Sequence, residues 1–296
     1  LRKQGWNPPL HLSLSASGDA SHLRELENYR GRLTKPPKSP ASVALPAFDD
    51  PAKLDDWSID VQLQLVTAEF LSRVSFDIDR VQLKAEARLA PLSGSPWLIA
   101  SLTRPTGPDI DNGPKGLSSA RSERATANAH IDAIVAQDAE VDSFILHCTG
   151  LRPLVHPSSF LFARAVVIVA SLVCQRFKHA FAVPRPHALD SAIAPLLPVP
   201  GHGSFPGGHA TLAAALATVL PAIWKRADVT KLMTLVDEIA LNRLRAGLHY
   251  QLDSEAGKLL GAGIGIALLQ AFSVSPTPLP LLTKLRDHAA YETKPE

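Results

Sequence analysis

Three short blocks hold the side chains of this chain best suited to chemistry: KHAFAVPRP (Lys178–Pro186), FPGGHAT (Phe205–Thr211) and NRLRAGLHYQLD (Asn242–Asp253). Lys178, Arg185 and Arg243 carry fixed positive charge. His209 and His249 supply imidazoles, and Gly207 and Gly208 bare the backbone before an apolar stretch. The set suits a tetrahedral oxyanion. Arginine's planar fork can grip two oxygens, while lysine acts as a compact point charge. The amide of Gly208 at a helix start adds a neutral donor, and glycine lets the backbone approach without a Cβ in the way. His249 can act through one ring nitrogen as a nucleophile or ligand. Asp253 follows on the same helical face and can accept the other ring N–H. His209 is left for acid–base work.

Taken singly, each block has an ordinary reading. Lys178 and Arg185 suit the negative end of a helix dipole, Pro-Gly-Gly is common chain punctuation, and His209 is a normal helix-start residue. Arg243 and Asp253 could lie on a solvated face. The ordered combination of all three is what points to a site.

The blocks resemble the signature of the superfamily that joins vanadium-dependent haloperoxidases, bacterial acid phosphatases and type 2 phosphatidic acid phosphatases: KxxxxxxRP, PSGH and SRxxxGxHxxxD. Here these are Lys178, Arg185 and Pro186; Pro206, Gly207, Gly208 and His209; and Asn242, Arg243, Gly247, His249 and Asp253. The resemblance covers residues 155–260. Asn242 and Gly207 stand where the pattern has serines, and the second change removes a hydroxyl donor to the anion. The resemblance implies vanadate, or phosphate in the same place, held by Lys178, Arg185, Gly207, Gly208, Arg243 and His249. His249 would be the vanadium ligand, and His209, His249, Lys178 and Asp253 the catalytic groups.

Two activities follow from such a cage. A haloperoxidase uses bound vanadate to oxidise a halide with hydrogen peroxide, and a small organic acceptor is then halogenated. A phosphomonoesterase passes the phosphoryl group through His249 while His209 protonates the leaving alcohol. Local detail favours the first. His202 lies seven residues before His209, an offset similar to that of bromoperoxidases, which makes it a halide-pocket candidate as well as an ordinary loop histidine. AGLHYQLDS (Ala246–Ser254) also resembles the bromoperoxidase version of the third block. Against this, His179 stands where a tryptophan often follows the lysine. The expected function is therefore a bromoperoxidase-like vanadium haloperoxidase, with a phosphatase as the alternative. A homologue that keeps the cage and loses the chemistry is a third class.

The chain has 296 residues, 46% hydrophobic and 20% charged, with a net charge of +2. It can bury a large core, and without a clustered basic run it excludes nucleic acid as the main partner. Cys148 and Cys174 show no ligand spacing, so two buried free thiols are expected, with one disulfide as the alternative. The chain begins at Leu1, so a missing signal peptide carries no weight and the compartment stays open. The apolar runs Phe160–Phe177, Ala210–Trp224 and Leu259–Phe272 fall short of the roughly 20 residues a membrane span needs. They are expected to be buried helices, with no membrane span.

The elements that must position the site are helical. Asp56–Leu89 reads as helix. Ser118–Cys148 reads as one long helix, with Ile131, Ile134, Val135, Val141 and Ile145 near the 3.6-residue period. Phe160–Phe177, His209–Trp224, Val229–Leu244 and Tyr250–Phe272 complete the set. There is no repeat and no run of alternating strands, so the expected fold is an all-α bundle with the oxyanion site between its core helices. Residues 1–117 are expected to form an N-terminal arm, Pro-rich within 1–60, and accessory helices packed on a core of residues 118–296. The arm leaves room for a homodimer.

Overall fold

The computed structural model describes residues 50–138 and 140–294. The Pro-rich arm expected within residues 1–60 lies outside them up to residue 49.

After a short 3-10 turn the chain forms α1 (Ile59–Arg73). An antiparallel sheet follows, made of β1 (Val74–Asp79), β2 (Lys84–Leu89) and β3 (Trp97–Thr103) in that order. Short helices come next: α2 (Gly107–Asp111), α3 (Leu117–Ala125), α4 (Ile131–Ala136) and α5 (Val141–Cys148). The long elements are α6 (Pro157–Phe181), α8 (Gly208–Ile223), α9 (Val229–Arg245) and α10 (Gln251–Ser273). The four-residue α7 (Pro186–Leu189) and the closing α11 (Pro280–Glu292) complete the fold. The protein is mostly helical, as expected, with its core helices arranged around one buried cluster. That cluster runs from Leu54, Phe70 and Leu89 through Phe162, Val166 and Phe177 to Leu216, Leu260 and Leu285.

Two devices hold the long helices in place. Gly257, Gly261 and Gly265 form a stripe on α10 that lies against α8. A Cβ on any of them would press into Gly207 O, Thr211 O or the Thr218 side chain. The two backbones meet there because nothing stands between them. Helix ends are closed by carboxylates from other helices. Glu292 of α11 accepts from the Ser158 and Ser159 amides at the start of α6, and Glu69 of α1 accepts from Leu281 and Leu282 at the start of α11.

The structure corrects several expectations. Only Ile59–Arg73 of the Asp56–Leu89 stretch is α-helix; from Val74 on it is the strands β1 and β2 and the turn between them. In β2 the residues Ala85, Ala87 and Leu89 alternate inward in the period of two that a half-buried strand requires. Ser118–Cys148 is broken into α3, a 3-10 turn, α4 and α5 rather than one helix. Ile134, Val141 and Ile145 are buried, but Ile131 and Val135 are exposed, so the periodicity ran across breaks. Both cysteines are free, yet only Cys174 is buried.

The expectation of no membrane span is also corrected. Pro157–Leu189, with mean hydropathy 1.9, and Gln251–Ser273, at 1.4, are each long and apolar enough to cross a membrane. The helices run past the ends of the apolar runs, from Pro157 through Phe181 and from Gln251 through Ser273. A count that stopped at the first polar residue therefore fell short. Length and composition are the whole of this criterion, and a buried core helix meets it too; 56% and 44% of the two windows are buried here.

Candidate active site

The site lies where α6, α8, α9 and α10 begin or end. Helix α6 stops at Ala182, which takes a left-handed conformation (φ 49°) while its amide bonds Lys178 O at 2.8 Å. Pro184 then bars further helix, and Pro186 opens the short α7 with Arg185 as its N-cap residue. Gly247, at φ 73°, turns the chain from α9 into α10, a conformation suited to glycine. The turn sets Arg243 and His249 on the same cavity. Asp253, in the first turn of α10, accepts from the Tyr250 amide at 3.1 Å and from His249 Nδ1 at 2.9 Å. One carboxylate thus caps the helix and orients the imidazole.

Arg185, His202, Gly208, His209, Arg243 and His249 line one cavity of about 160 Å³. Lys178 is fully buried beside it and donates to Gly203 O at 3.0 Å and Ser204 O at 2.6 Å. Arg185 donates to the carbonyls of His202 (3.1 Å) and Leu248 (2.8 Å), and its Nη1 is 3.4 Å from His249 Nε2. With the proton of His249 on Nδ1 toward Asp253, Nε2 presents its lone pair. The Nε2 of His209 sits 3.2 Å from Asp138 O, so that nitrogen carries the proton and Nδ1 is the free base. His202 Nδ1 lies 3.3 Å from Arg185 Nη2 and 3.0 Å from Gly203 O. Those two contacts demand opposite tautomers.

Gly207 is not in the cavity wall. Its amide donates to Asp253 O at 2.7 Å and its carbonyl takes Thr211. A Cβ there would lie 2.9 Å from Asp253 O. The glycine that replaces the signature serine is therefore set by the close approach of α8 to α10. A serine here would push on Asp253, which corrects the expectation that the missing hydroxyl is only a lost donor.

The electrostatics describe a site short of negative charge. Burial lowers Lys178 to about 8, and the charge of Arg185 adds to the effect. Burial takes Arg185 to about 10 and lowers Arg243 as well. His209 falls to about 4 through burial and the nearby Arg243. His249 is held well below its ordinary value by burial and then by Lys178, Arg185 and Arg243. Burial also lowers His202 and raises Asp253 to about 7.

Asp138 pairs with Arg243 Nη1 at 2.8 Å, and Arg243 Nε is buried with no hydrogen bond among the described residues. No side chain caps α8, which leaves the amides of its first turn, from Gly208 on, for an outside acceptor. A buried guanidinium nitrogen without a partner, uncapped amides and an imidazole lone pair around one small cavity fit a tetrahedral oxyanion. Vanadate and phosphate meet that description equally.

Sequence reasoning missed Ser204 and Asp138. Ser204 lies just ahead of the second block, and its hydroxyl donates to Pro184 O and lies 3.5 Å from Asp253 Oδ1, so its position was a usable signal. Asp138 had none. It ends the turn after α4, beside Gln137, which accepts from Asn242 Nδ2 at 2.9 Å. Asn242 and Arg243, adjacent on α9, thus grip Gln137 and Asp138, adjacent on the turn. The asparagine that departs from the signature is a fastening point for the opposite wall.

Residues 160–275 match the PAP2 superfamily. Comparison with curated protein sequences returned no match.

Proposed function

We propose that this chain, which belongs to the PAP2 superfamily through residues 160–275, is a vanadium-dependent haloperoxidase of bromoperoxidase type, with His249 anchoring the anion. The observation that carries the reading is His202 standing beside Arg185 in the same cavity wall as His209 and His249. The site then has an extra imidazole at the anion beyond the pair that hydrolysis uses. Vanadate, when bound, supplies the activation of hydrogen peroxide toward a halide. Lys178, Arg185 and Arg243 bind and orient the oxyanion, together with the first amides of α8. Asp253 keeps the His249 proton on Nδ1, so that Nε2 is always available. His209 holds its own proton on Nε2 against Asp138 O, which leaves Nδ1 as the nitrogen that would take or give a proton on the cavity side.

A second reading, hydrolysis of a phosphate monoester, is favoured by the two helices long and apolar enough to cross a membrane, which suit a lipid-borne ester. In that case His249 Nε2 attacks phosphorus, the phosphorus–oxygen ester bond breaks, and the leaving alkoxide takes a proton that His209 Nδ1 has first picked up from water, while Nε2 keeps its own proton on Asp138 O. Water then takes the phosphoryl group from His249. One pair of assays separates the readings: bromide-dependent halogenation of a diketone with orthovanadate and peroxide, and aryl phosphate hydrolysis without vanadate. The expected result is halogenation, with slow hydrolysis that vanadate inhibits. Hydrolysis without halogenation establishes the phosphatase, and neither activity leaves a cage without chemistry.

A further inference from the structure

A second cavity, of about 440 Å³, lies between the β1–β2 turn, the end of β3 and the outer face of α6, and shares no lining residue with the active cavity. Its charged wall is Arg80, Lys84, Arg104, Arg176 and His179, with Asp79 as the one carboxylate. Asp79 is turned inward on its own loop, where Oδ1 accepts from the Val81 and Gln82 amides at 2.9 Å. Lys84 pairs with Glu86 at 2.9 Å. Arg80, Arg104, Arg176 and His179 have no ion pair among the described residues, and Arg176 lies over the Phe76 ring at 5.3 Å. Arg104 Nε is buried without a hydrogen bond. Leu83 holds a left-handed backbone at φ 51°, and its carbonyl accepts from the Arg104 amide at 2.8 Å, which ties the turn to the end of β3.

Cations gathered around one cavity repel each other, and a buried guanidinium donor with no acceptor is costly. Both are relieved by a single multivalent anion, and forked arginine donors match phosphate oxygens in particular. We infer that this cavity is a second anion site, separate from the catalytic one, that binds a phosphate-bearing ligand, either a soluble polyphosphate or a lipid headgroup. Val81, almost fully exposed at the tip of the turn, supplies an apolar contact in the lipid case. The inference stands whether the active cavity oxidises halide or hydrolyses phosphate esters.

The test uses the full chain, the variant Arg80→Gln/Arg104→Gln and a control of equal charge change, Lys225→Gln/Lys231→Gln. Calorimetric titration with pyrophosphate should show two classes of site in the wild type. The variant should lose at least about tenfold in affinity in one class, with the other class and the enzymatic activity unchanged. Co-sedimentation with vesicles of phosphatidylcholine, with and without phosphatidylglycerol, identifies the source. Loss confined to the pyrophosphate titration means a soluble anion, and loss confined to anionic vesicles means a headgroup. Arg80→Gln alone, on an exposed turn, covers the case in which the double variant does not fold. The inference is overturned if wild type and variant behave alike in both assays, or if the control pair loses as much as the variant.

Discussion

Two walls frame the active site and are built differently, and neither Lys178 nor Asp138 lines the cavity itself. On one side the termini of long helices deliver Lys178, His209, Arg243 and His249, and α8 and α10 are locked together by glycines with no room for a side chain. On the other side a turn between the short helices α4 and α5 delivers the Asp138 carbonyl to His209 and its carboxylate to Arg243. That turn is fastened by the Asn242–Gln137 hydrogen bond. The first wall fixes where charge sits, and the second sets which nitrogen of His209 holds a proton. An oxyanion cage can therefore be rigid in its cations while its acid–base group is tuned from a loop.

The helix-borne wall should carry the larger share of function. His249→Ala removes the nitrogen that anchors the anion, and turnover in either assay should fall roughly 10⁴–10⁶-fold, as for other lost nucleophiles. His209→Ala should keep anion binding and slow turnover by roughly 10²–10⁴-fold. Steady-state kinetics with a binding titration check both. Equal loss of binding in the two variants would mean that their roles are wrongly divided. Gly261→Val tests the glycine contact. Overpacking there should cost about 1–3 kcal/mol or more and lower the melting temperature by several degrees, read by thermal denaturation. An unchanged melting point would show that α8 and α10 can separate.

A smaller effect follows from Lys178. Burial holds it at about 8, and a bound anion, which favours the charged form, must raise it. Anion affinity should thus be level with respect to this group below about pH 8, then fall as pH rises, by at most about tenfold per unit. Sulfate, a dianion throughout this range, is the probe, and its inhibition constant across pH 6.5–9.5 is the measurement. Lys178→Met should weaken binding and flatten the profile. A slope that persists in that variant would assign the titration to another group.

The helix-borne wall is also the part that could be read from sequence. Residues at Lys178, Arg185, His209, Arg243, His249 and Asp253 keep fixed spacing because each pair is tied to one helix end or one tight turn. Helices α6, α8 and α10 were legible from their apolar runs. Asp138 was not legible, since it acts partly through a backbone carbonyl, which any residue supplies, and reaches the site only through tertiary packing. The sheet was missed because β2 alternates alanine and leucine with charged residues, a pattern that a helix reading absorbs. Gly207 was misjudged because a sequence shows an absent hydroxyl but not the neighbouring carbonyl that excludes it.

The proposed function requires one cage, anchored at His249, to take vanadate and phosphate alike. Vanadate binding followed by ⁵¹V NMR on the wild type, His249→Ala and Arg80→Gln/Arg104→Gln tests it most directly. The expected result is a bound signal that inorganic phosphate displaces competitively, that His249→Ala loses, and that the Arg80/Arg104 variant keeps. A bound signal that survives in His249→Ala, or that phosphate leaves untouched, would contradict it.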